Sequence, residues 1–177
     1  MKFKVITIDN RGNGFKDAVE ETKKVADIQG LSDKQSLQLQ LCTEELLSMA
    51  RSITGEVEAT FWLDNDGDKY DLNMSTETVM DAEKRALLIS SSSSRKNEAA
   101  TSFLGMLRDI VEQEMLSEPD KEIYNLPDDV AADIVGRYIE DPEWDKYEQS
   151  ILRELADDIK IYIQGGEVMM TVTKAIA

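Results

Sequence analysis

The chain has 177 residues, enough for one domain with a substantial core, and 41% of them are hydrophobic, as is typical of a globular protein. Its formal net charge of −16 argues against a nucleic-acid surface, because phosphate binding relies on clustered Lys and Arg, and favours a protein partner with a basic surface. With no histidine and a single cysteine, histidine general bases, the common zinc sites and thiolate clusters are excluded, so any catalysis rests on carboxylates, hydroxyls or a cation held by oxygen.

Two features of the sequence point to the cytoplasm. Cys42 falls on a stripe predicted to be buried and provides no disulfide framework, which indicates a reducing compartment. No apolar run reaches the roughly 18 residues of a membrane-spanning helix, and residues 1–4 lack the apolar core of a signal peptide. The sequence therefore predicts a cytoplasmic protein with no membrane partner.

The first thirty residues predict a strand and a helix. Residues 2–8 alternate in the manner of a strand, although the pattern leaves open which face is buried. From Phe15 to Ile28 the apolar residues keep helical spacing, and Gly30 follows as a stop.

A longer central helix follows. Ser32, with Gln35 three residues on, is the signature of a capping box, and Gly55 closes the helix. Glu45 lies about 70° from the centre of the apolar stripe and borders the core, whereas Glu44 faces water. By spacing alone, Glu45 is a solvated flanking carboxylate. The stripe itself, predicted to be buried, consists of Leu39, Cys42, Leu46, Met49 and Ile53.

A hairpin with one mostly apolar face is predicted next. Its turn, residues 64–68, is acidic, but a calcium loop needs glycine at its sixth position and glutamate at its twelfth. Counted from Asp64, the glycine falls at position four and Ser75 occupies position twelve, so Asp66-Gly67 predicts a tight hairpin turn with positive φ instead. The apolar face is predicted to hold Val57, Ala59, Phe61, Leu63, Tyr70, Leu72 and Met74.

Residues 79–157 are predicted to be mostly helical. The five serines of residues 90–94 predict a flexible connection, since a phosphate-binding loop would be expected to carry glycines. Three helices are predicted after this connection, over residues 97–116, from Pro127 and from Pro142.

A second hairpin ends the chain, because residues 159–163 and 168–172 alternate on either side of Gly165-Gly166. Five strands whose apolar residues favour one face, with helices enough to cover that face, predict an α+β fold. The architecture is a two-layer sandwich with a largely antiparallel sheet of about five strands.

This order of elements resembles the GHKL ATPase superfamily, shared by gyrase, chaperone, histidine-kinase and mismatch-repair ATPases. Within it, the chain is most similar to the anti-sigma-factor serine kinases, through LQLQLCTEELLSMARS (residues 37–52), the hairpin after it, and SILRELADDIKIYIQGGEVMMTVTKAI (residues 150–176). The resemblance implies a single histidine-kinase-like domain over residues 1–177, in which residues 79–146 are an enlarged or replaced helical lid.

The resemblance also implies a catalytic helix. The family carries Glu-x-x-x-Asn there: the carboxylate positions the attacking water or hydroxyl, and the Asn holds Mg²⁺. Glu45 matches the carboxylate and is the candidate catalytic residue. Met49 stands at the Asn position, where a thioether is a poor ligand for a hard cation. Ser48 would replace it only through rotation or a water molecule.

The other family motifs are reduced in this chain. The adenine-reading Asp-x-Gly-x-Gly corresponds to residues 76–80, which hold no glycine and leave Thr76 and Glu77 as candidates near an adenine. The glycine-rich lid is reduced to Gly105, and a lone glycine in a helical pattern is typical of close packing. No metal ligand is predicted, and ATP with Mg²⁺ stays open as a cofactor.

These losses favour a regulatory pseudo-ATPase that binds a protein, by analogy a sigma factor or an anti-sigma antagonist. The alternative is an active ATP- and Mg²⁺-dependent serine kinase or ATPase with Glu45 as its polarising base. A third interpretation gives the function to residues 79–157, as a docking surface or small-molecule pocket near Trp62, Trp144 and Tyr147, although large aromatic residues are more often core packing. A homodimer stays open.

Overall fold

The structure, a computed structural model, describes residues 1–9, 11–55, 58–101, 111–112, 116 and 151–176. Residues 151–155 are helical and precede the last two strands. The elements in chain order are β1 (Ile6–Ile8), α1 (Phe15–Ile28), α2 (Asp33–Thr54), β2 (Ala59–Asp66), β3 (Lys69–Glu77), α3 (Ala82–Ser91), a 3₁₀ helix (Glu98–Thr101), β4 (Asp158–Gln164) and β5 (Glu167–Ala175).

The five strands form one antiparallel sheet in the order β1-β2-β3-β5-β4. The two hairpins meet through β3 and β5, whose register runs from Lys69 opposite Ala175 to Glu77 opposite Glu167. This pairing confirms the predicted α+β fold with its antiparallel sheet of five strands.

The core lies between one face of the sheet and helices α1 and α2. All five residues of the predicted α2 stripe are buried, as are the inward residues of both hairpins. The other face of the sheet carries half-buried residues that include Trp62, whose ring centroid lies 4.6 Å from the Lys2 ammonium nitrogen. The inward strand residues are Ala59, Phe61, Leu63, Tyr70, Leu72, Met74, Ile159, Ile161, Ile163, Val168, Met170 and Val172.

Local signals placed the ends of α2 and the first hairpin turn correctly. The Ser32 hydroxyl accepts a hydrogen bond from the Gln35 backbone N–H, and the Gln35 side chain accepts one from the Ser32 backbone N–H. Gly55 ends the helix with φ at 82°, and Gly67 has φ at 63° in the turn. Both positive angles are readily adopted by glycine, which lacks a Cβ atom.

The first strand is shorter than the seven-residue alternation suggested. Only Ile6–Ile8 form β1, with Ile6 and Ile8 facing the core and Val5 exposed. Nearer the N-terminus, Lys2 makes an isolated bridge to Asp64, and the Phe3 N–H donates to the Leu63 carbonyl at 2.9 Å. The regular ladder is therefore interrupted before β1 begins.

Part of the serine run is packed and hydrogen-bonded to β4, where the sequence predicts a flexible connection. Ser91 ends α3, and both Ser91 and Ser92 are buried. The Ser93 backbone N–H donates to the Ile159 carbonyl at 2.8 Å, and its hydroxyl accepts from the Ile159 N–H at 2.8 Å. Serine hydroxyls can replace backbone groups as hydrogen-bond partners, so this segment covers part of the β4 edge.

Asn97 continues this cover of β4. Its side-chain N–H donates to the Ile163 carbonyl, and its side-chain oxygen accepts from the Ile163 N–H, both at 2.8 Å. Glu98–Thr101 then form a 3₁₀ helix where the first part of a longer helix was predicted.

Most of the predicted insertion, residues 79–146, lies outside the described residues, which within it are 79–101, 111–112 and 116. The helices predicted from Pro127 and Pro142 lie outside them as well, together with Gly105, Trp144 and Tyr147. Among the helices that are described, none combines the length and apolar character needed to cross a membrane.

Candidate functional site

Helix α2 presents the candidate carboxylate at the border of the core, as predicted. Glu45 is half-buried, whereas Glu44 on the next position is exposed. Ser48, one turn further along, is also half-buried. Both Glu45 and Ser48 interact with other groups of the chain.

Met49, in contrast, is a core residue. It is only 1% exposed and belongs to the apolar cluster between α2 and the sheet. A thioether at this depth offers no oxygen to a hard cation, so Met49 is unsuited to the Mg²⁺ role of the asparagine in the related motif. The contribution of Met49 to cofactor binding stays a prediction, and the burial of its side chain argues against it.

Within the described residues, the cavity between α2 and the sheet is far smaller than a nucleotide site. This cavity has a volume of about 30 Å³ and is bordered by the loop after β1, the second half of α2, the first residue of β2 and the second half of β3. Small-molecule sites usually measure about 300–1,000 Å³, whereas a single water needs only about 10–15 Å³. This cavity fits water at most. Its lining residues are Ile8, Asp9, Gly12, Phe15, Leu47, Ala50, Arg51, Ala59 and Met74.

Thr76 and Glu77, the candidate adenine contacts, end strand β3 in different environments. Thr76 is buried, and its hydroxyl donates to the Glu58 carbonyl at 3.1 Å. Glu77 is exposed. Because the Thr76 hydroxyl donates its proton to a backbone carbonyl, this side chain stabilises the fold.

These two residues lie near the C-terminal end of α2, beyond Glu45. The Thr78 hydroxyl donates to the Thr54 carbonyl at 3.2 Å, which joins the end of β3 to the last residue of α2. Glu45 precedes Thr54 by nine residues, about 13 Å along a helix axis at 1.5 Å per residue. Along α2, this length separates the catalytic candidate from the end of the helix that lies beside the adenine-contact candidates.

An open cleft of about 480 Å³ lies beyond the end of β3, between it and the β4–β5 turn. We call it the Glu77–Glu167 cleft, and it is lined by Glu77, Thr78, Val79, Gly166 and Glu167. The two glutamates are exposed and directly opposite each other in the β3–β5 register. Val79 is 85% exposed beside them. The cleft thus combines two carboxylates with an exposed apolar side chain.

The sequence alone indicated only one residue of this cleft, Glu77. Glu167 is ninety residues away along the chain and becomes its neighbour only through the pairing of β3 with β5. The Gly165-Gly166 turn was the available signal, because it identified the loop that contributes the far wall.

The facing glutamates predict a stabilising substitution. Like charges directly opposite in an antiparallel sheet are unfavourable, and a favourable cross-strand pair contributes about 0.2–1 kcal/mol. We expect Glu167→Lys to raise the free energy of unfolding by up to about 1 kcal/mol in urea titrations, and Glu167→Gln to raise it less. This increase in the free energy of unfolding should be smaller at high salt, which screens charges. A destabilised Glu167→Lys protein would contradict the assigned register.

Groups suited to metal binding are not clustered in the described part of the chain. There, no three Asp, Glu or Cys side chains are placed to hold a metal ion. The one cysteine, Cys42, is buried and free. Burial raises the pKa of its thiol to about 11, with Lys174 acting in the opposite direction.

This raised pKa predicts a pH dependence of stability. The thiol loses its proton near pH 9.0 in the unfolded chain but near pH 11 in the folded one, so the stabilisation is complete below pH 9 and is lost between these values. The loss is at most about 1.4 kcal/mol per pH unit. The free energy of unfolding, measured in urea at pH 8 and pH 10, should fall more for the wild type than for Cys42→Ala. Parallel pH profiles would contradict the assignment.

No protein-family model matches this chain, and a comparison with curated proteins finds no match. Its function is therefore inferred from the sequence and from the geometry described above.

Proposed function

We propose that this protein is a regulatory pseudo-ATPase of the GHKL type, which binds a protein partner with a basic surface and does not hydrolyse ATP. The observation that carries the proposal is the burial of Met49 at the position where the related motif has its Mg²⁺-holding asparagine. A Mg²⁺ ion beside Glu45 would lack the oxygen ligand that the asparagine provides in that family. The absence of glycines in residues 76–80 supports the same conclusion.

Charge favours a basic protein over a nucleotide as the ligand. The chain has a net charge of −16, and the Glu77–Glu167 cleft places two exposed carboxylates together. Phosphates would be repelled there, whereas a lysine or arginine side chain would be attracted. The exposed Val79 adds an apolar contact for the aliphatic part of such a side chain.

By analogy with the anti-sigma-factor kinases, the partner is a sigma factor or an anti-sigma antagonist, and the compartment is the cytoplasm. The free, buried Cys42 is consistent with a reducing compartment. The analogy supplies the identity of the partner, while the charge argument supplies only its chemistry.

Partner capture with matched charge variants tests this proposal. The double variant Glu77→Lys/Glu167→Lys should lose most of the binding seen with the wild type. The control, Glu20→Lys/Glu44→Lys, makes the same change in net charge at exposed positions of α1 and α2 and should retain most of the binding. Capture should also weaken as salt is raised. If both double variants bound the partner equally well, the Glu77–Glu167 cleft would not be the binding site.

The alternative function, an active serine kinase or ATPase, is favoured by one observation: Glu45 keeps the half-buried position on α2 that a polarising base would need. A turnover assay separates the two functions. Phosphate release or serine phosphorylation that disappears in Glu45→Ala would support the enzyme, whereas turnover that persists in Glu45→Ala would exclude Glu45 as its base.

A further inference from the structure

Another pocket lies along α3 and shares no lining residue with the Glu77–Glu167 cleft or with the cavity beside α2. Its volume is about 410 Å³, within the usual range of small-molecule sites. We call it the α3 pocket, and it is lined by Ala82, Arg85, Ala86, Ile89, Ser90, Arg95 and Leu116.

The local sequence explains how the pocket forms. Arg85 and Ile89 are four residues apart on α3, so they share one helix face, and the small side chains of Ala82 and Ala86 leave space along that face. The helix is fixed at its start by Asp81, whose carboxylate accepts from the Lys84 N–H at 2.8 Å. After the helix, Arg95 has φ at 54°, which is uncommon outside glycine, and lies on the same pocket.

Two arginines line the α3 pocket together with Ser90, and a third contacts Ser90, in contrast to the acidic character of the whole chain. Arg85 lines the pocket and is only 4% exposed, whereas Arg95 lines it from an exposed position. Arg153 donates a hydrogen bond to the Ser90 carbonyl. Arg85 also interacts within the chain, but a guanidinium has five N–H donors and can serve a ligand as well as a protein group.

We propose that the α3 pocket binds a small organic anion. The carboxylate or phosphate of the ligand would be held by Arg85 and Arg95, because the planar fork of a guanidinium matches two oxygens of such a group. The apolar body would lie against Ala86, Ile89 and Leu116. A mostly apolar wall with a few converging charged groups is the usual composition of a small-molecule site. This site is independent of the proposed protein partner and of the nucleotide positions on α2.

Calorimetric titration with phenyl phosphate, benzoate and the neutral control benzyl alcohol tests the proposal. The wild type should bind at least one of the two anions saturably and should not bind the alcohol. Arg95→Gln should weaken anion binding about tenfold, which is the loss of one good charge-assisted contact. Arg85→Lys, which keeps the charge but loses the fork, should also weaken it.

Lys84→Gln is the matched control, because Lys84 lies on the same helix but its ammonium donates to the Val79 carbonyl, outside the pocket. It removes the same charge as Arg95→Gln and should bind the anions like the wild type. Circular dichroism of each variant confirms that the fold is retained. The proposal is overturned if neither anion binds the wild type at millimolar concentration, or if Arg95→Gln and Lys84→Gln bind equally well.

Discussion

Replacing Met49 with asparagine, which rebuilds the Glu-x-x-x-Asn spacing with Glu45, is expected to destabilise the protein by about 3–5 kcal/mol without producing Mg²⁺-dependent nucleotide binding. Met49 is fully enclosed between α2 and the sheet. The variant loses the burial of a methionine side chain, about 1.5–3 kcal/mol, and places an amide among apolar groups at a further cost of about 1–3 kcal/mol.

Urea unfolding measures the loss of stability, and titration with ATP and Mg²⁺ tests for nucleotide binding. Met49→Leu is the control, since a swap of similar volume usually costs less than about 1.5 kcal/mol. A Met49→Asn protein as stable as the wild type that bound Mg²⁺-ATP would contradict this prediction. Residue 49 would then face a nucleotide site, and this one substitution would be enough to restore nucleotide binding.

Replacing Asn97 with alanine is expected to lower the free energy of unfolding by about 2–4 kcal/mol. The buried Asn97 side chain makes paired hydrogen bonds with the N–H and C=O of Ile163, and its oxygen accepts a third from the Ala99 N–H. Its removal leaves these groups without that partner, and a buried polar group left unsatisfied costs about 1–3 kcal/mol.

Ser94→Ala is the matched control for this prediction. Ser94 lies in the same segment, but its hydroxyl bonds the Glu98 carboxylate at an exposed site, so its loss should cost less than about 1 kcal/mol. Hydrogen exchange at the Ile163 amide should be faster than in the wild type for Asn97→Ala but not for Ser94→Ala. Equal stability of the two variants would show that the segment does not hold the edge of β4.

The elements that local chemistry specifies were predictable from the sequence. The Ser32–Gln35 capping box and Gly55 marked both ends of α2, and the three- and four-residue spacing selected its buried face. Alternation identified both hairpins, because each strand buries one face. That residue 49 offers no ligand to a hard cation also followed from the chemistry of a thioether, although the degree of its burial did not.

Features made by residues distant in the chain were not predictable. Ser93 and Ile159 are 66 residues apart, so nothing local shows that a polar run will hydrogen-bond to an edge strand. The same limit applies to Glu77 and Glu167, which become neighbours only once β3 and β5 pair in one register. The α3 pocket likewise depends on Leu116 and on the unusual backbone angle of Arg95.

The most direct test of the central claim is calorimetric titration of the wild-type protein with ATP, with and without Mg²⁺, repeated on Glu45→Ala and Arg95→Gln. The account predicts no Mg²⁺-dependent binding at millimolar ATP. Binding that needs no Mg²⁺ and is lost only in Arg95→Gln would locate the nucleotide phosphates in the α3 pocket. Saturable binding that requires Mg²⁺ and is lost in Glu45→Ala would contradict the account and restore the ATPase or kinase function.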